Sequence, residues 1–224
     1  MVRGERDYTQ RVLATVRPMG LLGGRLILLE DFESLKDRSS LSTANFSITT
    51  SAGDIWDGDA AGMFTMGIDE PATWYKCIPS PTSDIIGAEV IFRPSGVQLG
   101  YAYLQLDVYT DAARITFRGQ LIVEDGAVKL QVWTTGGVWT TVKTFNASEI
   151  PQHWHFLYIR CNIATQKYEL VQLNSTRVAL ADQTPVVVTG EQMPYVEVTF
   201  TTLPLTGDAE TVYWDDLAVT YEEL

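Results

Sequence analysis

The sequence predicts one all-β domain, a sandwich of two antiparallel sheets behind a short N-terminal arm. Three observations carry this. From Leu26 onward apolar residues recur at alternate positions, the period of a strand with one face buried. The alternating runs are rich in Thr, Val, Ile, Tyr and Trp, which suit a pleated, half-buried surface. Turn signals separate the runs, and no sustained helical pattern follows the arm. With about fourteen short runs, two stacked sheets are expected rather than one open sheet.

The arm is residues 1–25. Asp7 followed by Gln10 resembles a capping box. Tyr8, Val12, Leu13 and Val16 then fall on one face of a short helix. Pro18, Gly20, Gly23 and Gly24 end it. So short an amphipathic helix is not stable alone. Its stripe is expected to dock on a neighbouring subunit or shell protein, with docking on its own sandwich as the alternative.

Residues 26–224 form the β domain. The strand candidates are Leu26–Phe32, Asn45–Thr50, Gly62–Gly67, Thr73–Ile78 and Ile85–Arg93. They continue with Tyr101–Thr110, Ala113–Glu124, Ala127–Thr134 and Val138–Phe145. The last are Trp154–Ile163, Lys167–Leu173, Arg177–Ala181, Tyr195–Leu203 and Thr211–Tyr221. Asp125-Gly126 and Gly136-Gly137 mark hairpins. Pro79, Pro94, Pro151, Pro185, Pro194 and Pro204 stand between runs or at their ends, where a missing N–H does least harm.

Composition narrows the function classes. The 224-residue chain carries a net charge of −12, which repels nucleic acid, since binding there needs Lys and Arg on phosphates. No apolar run reaches the ~18 residues of a membrane span. The N-terminal segment has no apolar core of a signal peptide. A soluble protein of the cytoplasm or of a virion is therefore expected. Cys77 and Cys161 are too few for a zinc site. They form one disulfide or remain two buried thiols. A core this large needs no bridge, which favours thiols.

The stretch Trp154-His155-Phe156, Tyr158-Ile159-Arg160, Thr165-Gln166-Lys167-Tyr168 and Leu173-Asn174-Ser175 resembles a hairpin of the concanavalin A-like lectin/glucanase superfamily. Val212-Tyr213-Trp214-Asp215-Asp216-Leu217 is similar to the closing strand of such laminin-G-like jelly rolls, and Glu30-Asp31-Phe32-Glu33 to their opening strand. The resemblance implies a jelly roll over residues 26–224, with no particular activity.

Glycoside hydrolases of that superfamily carry Glu-x-Asp-x-x-Glu on one strand, which sets carboxylates on one face as nucleophile or base and as acid. The only Glu-x-Asp here is Glu5-Arg6-Asp7, in the arm. A non-enzymatic protein is expected. His153 and His155 have the spacing of a metal pair but lack a third histidine and a nearby carboxylate. They read as a turn and a strand opening.

Asp215 lies among apolar neighbours, with Tyr213, Leu217, Val219 and Tyr221 sharing its parity. A buried carboxylate must be paired, hydrogen-bonded or metal-bound. The resemblance implies a structural calcium joining closing and opening strands, with oxygens from Asp215, Glu30 and Glu33. Asp54, Asp57 and Asp59 are a second acidic group, a calcium candidate or a solvated turn.

A third set is polar and aromatic. Tyr101, Tyr103, Gln105, Asp107 and Tyr109 share one parity, while Leu104, Leu106 and Val108 share the other. Next come Arg114, Thr116, Arg118 and Gln120, then Lys129, Gln131 and Trp133. If these strands are neighbours, one face suits sugars, whose apolar faces stack on flat rings while polar tips bond hydroxyls. It equally suits a protein interface. The expected function is a structural or assembly protein of a phage virion, forming homo-oligomers or meeting other virion proteins, with a carbohydrate-binding module as the alternative.

Overall fold

The computed structural model describes residues 25–30, 41–42, 46–56, 60–80, 83–96, 99–124, 126–146, 153–190, 193–205 and 207–222. The arm residues Tyr8, Val12, Leu13 and Val16 lie outside the described residues, as do Glu33, Asp57 and Asp59.

Sixteen strands are described. They are β1 (Arg25–Glu30), β2 (Leu41–Ser42), β3 (Phe46–Thr49), β4 (Ala61–Met66), β5 (Ala72–Pro79), β6 (Ile85–Pro94), β7 (Leu99–Tyr109) and β8 (Ala113–Glu124). The others are β9 (Ala127–Thr134), β10 (Val138–Asn146), β11 (His155–Asn162), β12 (Lys167–Leu173), β13 (Thr176–Ala179), β14 (Val186–Thr189), β15 (Tyr195–Pro204) and β16 (Glu210–Glu222). The first sheet has the order β13-β12-β11-β6-β16-β4-β3, with β1 also on β16. The second has the order β10-β9-β8-β7-β15-β5-β2, with β14 also on β8. The pairings are antiparallel. The protein is a two-sheet jelly-roll sandwich. Two strands escape the sequence reading, β2 and β14; one is two residues long and the other follows Pro185 directly.

Alternation builds the core. Leu104, Leu106 and Val108 of β7 point inward, with Ile115, Phe117 and Leu121 of β8 and Val128, Leu130 and Val132 of β9. Large rings plug the space between the sheets. Trp214 of β16 lies 5.2 Å from Trp74, 5.6 Å from Phe64 and 5.7 Å from Phe200, centroid to centroid. Trp74 and Phe200 come from the second sheet, Phe64 and Trp214 from the first.

Strand β16 corrects one expectation. Its partners on β6 jump from Asp215↔Ile91 to Ala218↔Glu89, and Asp216 has φ 45°. This bulge shifts the phase of the strand. Val212 and Trp214 face the core before it, Leu217 and Val219 after it, so Tyr213, Asp215 and Leu217 do not share one face. Asp215 is nonetheless fully buried, and its Oδ1 accepts from its neighbour's N–H, Asp216 N, at 2.9 Å. Glu89, opposite Ala218, is also buried. Burial first, and the nearby Asp216 second, push its carboxyl well above the usual range.

Cys77 is a second correction. It is exposed, whereas Cys161 is buried, and both are free. The pleat of β5 explains this: Ala72, Trp74 and Ile78 point inward and Cys77 outward.

Candidate functional site

The antiparallel register of the second sheet assembles its outer face. Gln105 pairs with Arg118 and Tyr103 with Gln120 across β7 and β8. Gln120 pairs with Gln131 across β8 and β9, and Trp133 with Trp139 across β9 and β10. On the other side of β7, Asp107 meets Glu197 and Gln105 meets Thr199 on β15. The expected residues Tyr101, Tyr103, Gln105, Asp107, Arg118, Gln131 and Trp133 therefore stand on one continuous surface. Tyr109 shares the face but sits about 13 Å from Gln105 along β7, at roughly 3.3 Å per residue. There it stacks on Tyr195 at 4.1 Å.

Arg118 is the centre of the arrangement. Its guanidinium carbon lies 4.7 Å from the ring centroid of Tyr103, 5.5 Å from that of Trp133 and 5.7 Å from that of Trp139. Such cation–π contacts hold a charged plane against aromatic faces. The two indoles meet edge to face at 4.9 Å. Arg118 Nε donates to Gln105 Oε1 at 2.5 Å, Gln105 Nε2 donates to Asp107 Oδ2, and Thr116 Oγ1 donates to Asp107 Oδ1. Gln120 Nε2 donates to Gln131 Oε1 at 2.6 Å, and Gln131 Nε2 to Thr141 Oγ1 at 3.0 Å. Gln105, Asp107, Thr116, Gln120 and Gln131 are all buried. Each amide is thus locked by a partner, so the surface is organised before any ligand arrives.

The inner side fixes this surface too. The β8–β9 ladder ends at Gly119↔Val132, and the β14–β8 ladder begins only at Thr116. Backbone groups of Arg118 fall in the gap between β9 and β14. Tyr168 of β12, in the opposite sheet, fills it: its hydroxyl accepts from Arg118 N at 2.7 Å and donates to Trp133 O at 2.7 Å. Burial raises this phenol far above its ordinary range, so it stays protonated. Gly119 lets the sheets approach, since a Cβ there would stand 2.6 Å from Ile159 Cγ2.

The sequence reading missed Trp139, Glu197, Thr199 and Tyr195. Their strands were read, but nothing in the sequence says that β15 lies beside β7 or that Trp139 faces Trp133. Asp107 and Glu197 are the notable result. Neither β7 nor β15 carries a second carboxylate, yet the fold sets these two on facing positions of neighbouring strands. Burial, and then Asp107, raise the carboxyl of Glu197.

Of the expected calcium ligands, Asp215 is fully buried. Glu30 pairs with Leu217 through its backbone, beside Asp215 and Asp216, and Glu33 lies outside the described residues. Among the described residues no group of three or more His, Cys, Asp or Glu side chains is arranged to hold a metal ion. Asp54 is taken by Arg93, whose Nη2 lies 2.7 Å from Asp54 Oδ1. His155 is buried, with its ring 5.6 Å from Phe92, while His153 is exposed outside the strand.

Sheet order, register and the ring-plugged core define the fold class: a two-sheet antiparallel jelly roll with a polar-aromatic outer face. No family model matches the sequence, and no curated protein matches it. Solved structures do. A conserved carbohydrate esterase of the Shiga toxin-encoding bacteriophage phi24B is similar with a TM-score of 0.55 and 16% identity, over 90% of this chain and 100% of that one. The carbohydrate recognition domain of Emp46p, in its potassium-bound form, is similar with a TM-score of 0.51 and 8% identity, over 80% of this chain and 90% of that one. At such identities the likeness is one of fold.

Proposed function

We propose that this protein binds glycans, through the outer face of its second sheet. The observation that supports it is the gathering of Tyr103, Trp133 and Trp139 around Arg118, with Gln105, Gln120 and Gln131 held between them. Flat rings offer stacking surfaces for the apolar faces of pyranoses, and the buried amides beneath hold those rings in place. The carbohydrate recognition domain and the carbohydrate esterase of the same fold lend support by analogy.

The test is affinity electrophoresis and calorimetry against β-glucans, galactans and alginates. At least one should bind, and Trp133→Ala should lower its affinity tenfold or more, about 1.4 kcal/mol, with little change in melting temperature. A panel without any binder rejects the reading. The same incubations, read by reducing ends, should show no turnover. Turnover lost in Glu197→Gln or Asp107→Asn would replace binding by hydrolysis.

The finer part of the proposal is a place in a phage particle, as a non-enzymatic component that carries this face. Jelly rolls are common in virion shells, and the amphipathic pattern of Tyr8, Val12, Leu13 and Val16 suits assembly through an exchanged segment. A chain beginning at Leu26 should keep its β-sheet circular dichroism and sediment as a smaller species than the full chain. Equal sedimentation of the two removes the assembly role.

A further inference from the structure

A second aromatic recess lies on the first sheet, on the opposite side of the sandwich. We propose that it binds one end of a neutral glycan, seating a single pyranose ring. The recess has a volume of about 420 Å³, at the small end of ligand pockets. That is room for a mono- or disaccharide rather than the middle of a long chain.

Its floor is apolar. Ile91 of β6 and Phe156 of β11 face outward there and are buried. One wall is aromatic: Trp56 and Trp154 meet edge to face at 5.9 Å, interplanar angle 61°. Trp154 is held in place by the Arg93 guanidinium, 5.5 Å from its ring, and Arg93 is itself fixed by Tyr213 at 4.8 Å and by Asp54. Trp56 is 40% exposed, so part of its ring is open to a ligand.

The opposite wall is a polar turn. Asn174 has φ 53° and is pinned from several sides. Its N–H donates to Phe156 O at 2.8 Å, and its Oδ1 accepts from Phe156 N at 2.9 Å. Its carbonyl accepts from Gln172 Nε2 at 2.5 Å, and its Nδ2 lies 3.2 Å from His155 Nδ1. Asn174 and the neighbouring Ser175 are exposed beside the recess. An apolar floor, an indole face and a rim of amide and hydroxyl groups match a pyranose, which has an apolar face and a ring of hydroxyls. The rim is uncharged and the nearby Arg93 already has Asp54, which favours a neutral sugar over a uronate. The recess and the face around Arg118 share no residue, so this inference stands apart from the preceding proposal.

Fluorine NMR of the full chain labelled with 5-fluorotryptophan tests it. Single Trp→Phe variants assign the resonances, and methyl glucoside, methyl galactoside, N-acetylglucosamine, cellobiose and lactose are the probes. At least one should shift Trp56 and Trp154 saturably, with a Kd on the order of 1 mM. The shift should persist in Trp133→Ala, and Trp56→Ala should abolish it at Trp154. Three results overturn the proposal. One is shifts confined to Trp133 and Trp139, which would leave the sheet-face reading intact. Another is a Trp154 shift unchanged by Trp56→Ala. The third is a response to N-acetyltryptophanamide and to no sugar, which would mark a pocket for an aromatic side chain.

Discussion

Trp214→Ala should lower the stability of the fold by about 3–5 kcal/mol, the range for deleting a large buried ring. The reason is position as much as size. Trp214 is wholly buried and touches Phe46, Phe64, Trp74 and Phe200. These rings come from β3, β4, β5 and β15, so both sheets lose a partner at once. Neighbours that belong to two hydrogen-bonded sheets cannot all close on the void, and the cavity term remains. Urea unfolding followed by circular dichroism measures the change. Trp139→Ala, a half-buried ring on the outer face, is the control and should lose much less. Equal midpoints for the two variants would contradict the described core.

Tyr168→Phe should cost about 1–3 kcal/mol, the penalty for leaving buried polar groups unpaired. The substitution conserves the ring, which stands edge to face with Phe117 at 5.3 Å, and removes only the oxygen. Arg118 N–H and Trp133 C=O then lose their partner in the gap between β9 and β14. Both residues also carry the ring cluster of the outer face, so the expected result has a second readout. Amide exchange at Arg118 should quicken by more than global destabilisation explains, and glycan affinity should fall although residue 168 lies on the inner side. Unchanged exchange at Arg118 would show that the phenol does not tether the two sheets.

Much of the site was legible because a strand has a period of two. Once Leu104, Leu106 and Val108 are read as core, Tyr103, Gln105 and Asp107 must face outward. The same reasoning places Arg118, Gln131 and Trp133. It fails where the period breaks. The bulge after Asp215 costs nothing in composition, so Tyr213 and Leu217 read as one face when they are on two. Cys77 is a case of type against position: cysteine favours interiors, but its odd place on β5 puts it outside. The recess on the first sheet was illegible as a site. Trp154 and His155 were noticed as a strand opening, whereas Trp56 comes from a loop about 100 residues earlier in the chain and meets Trp154 only in the folded molecule.

The sequence by itself determined the all-β class, the positions of most strands and which side chains of each strand face outward, because these follow from local alternation and turn chemistry. Tertiary structure alone decided what lies beside what. Strand order set β15 against β7 and so brought Glu197 to Asp107. The handover from β9 to β14 along β8 opened the gap that Tyr168 fills. The physical reason is the same in each case. Register along a strand is written in neighbouring residues, but the choice of neighbouring strand is fixed by burial of the whole sandwich, over separations of 90 residues between Asp107 and Glu197 and 50 between Arg118 and Tyr168.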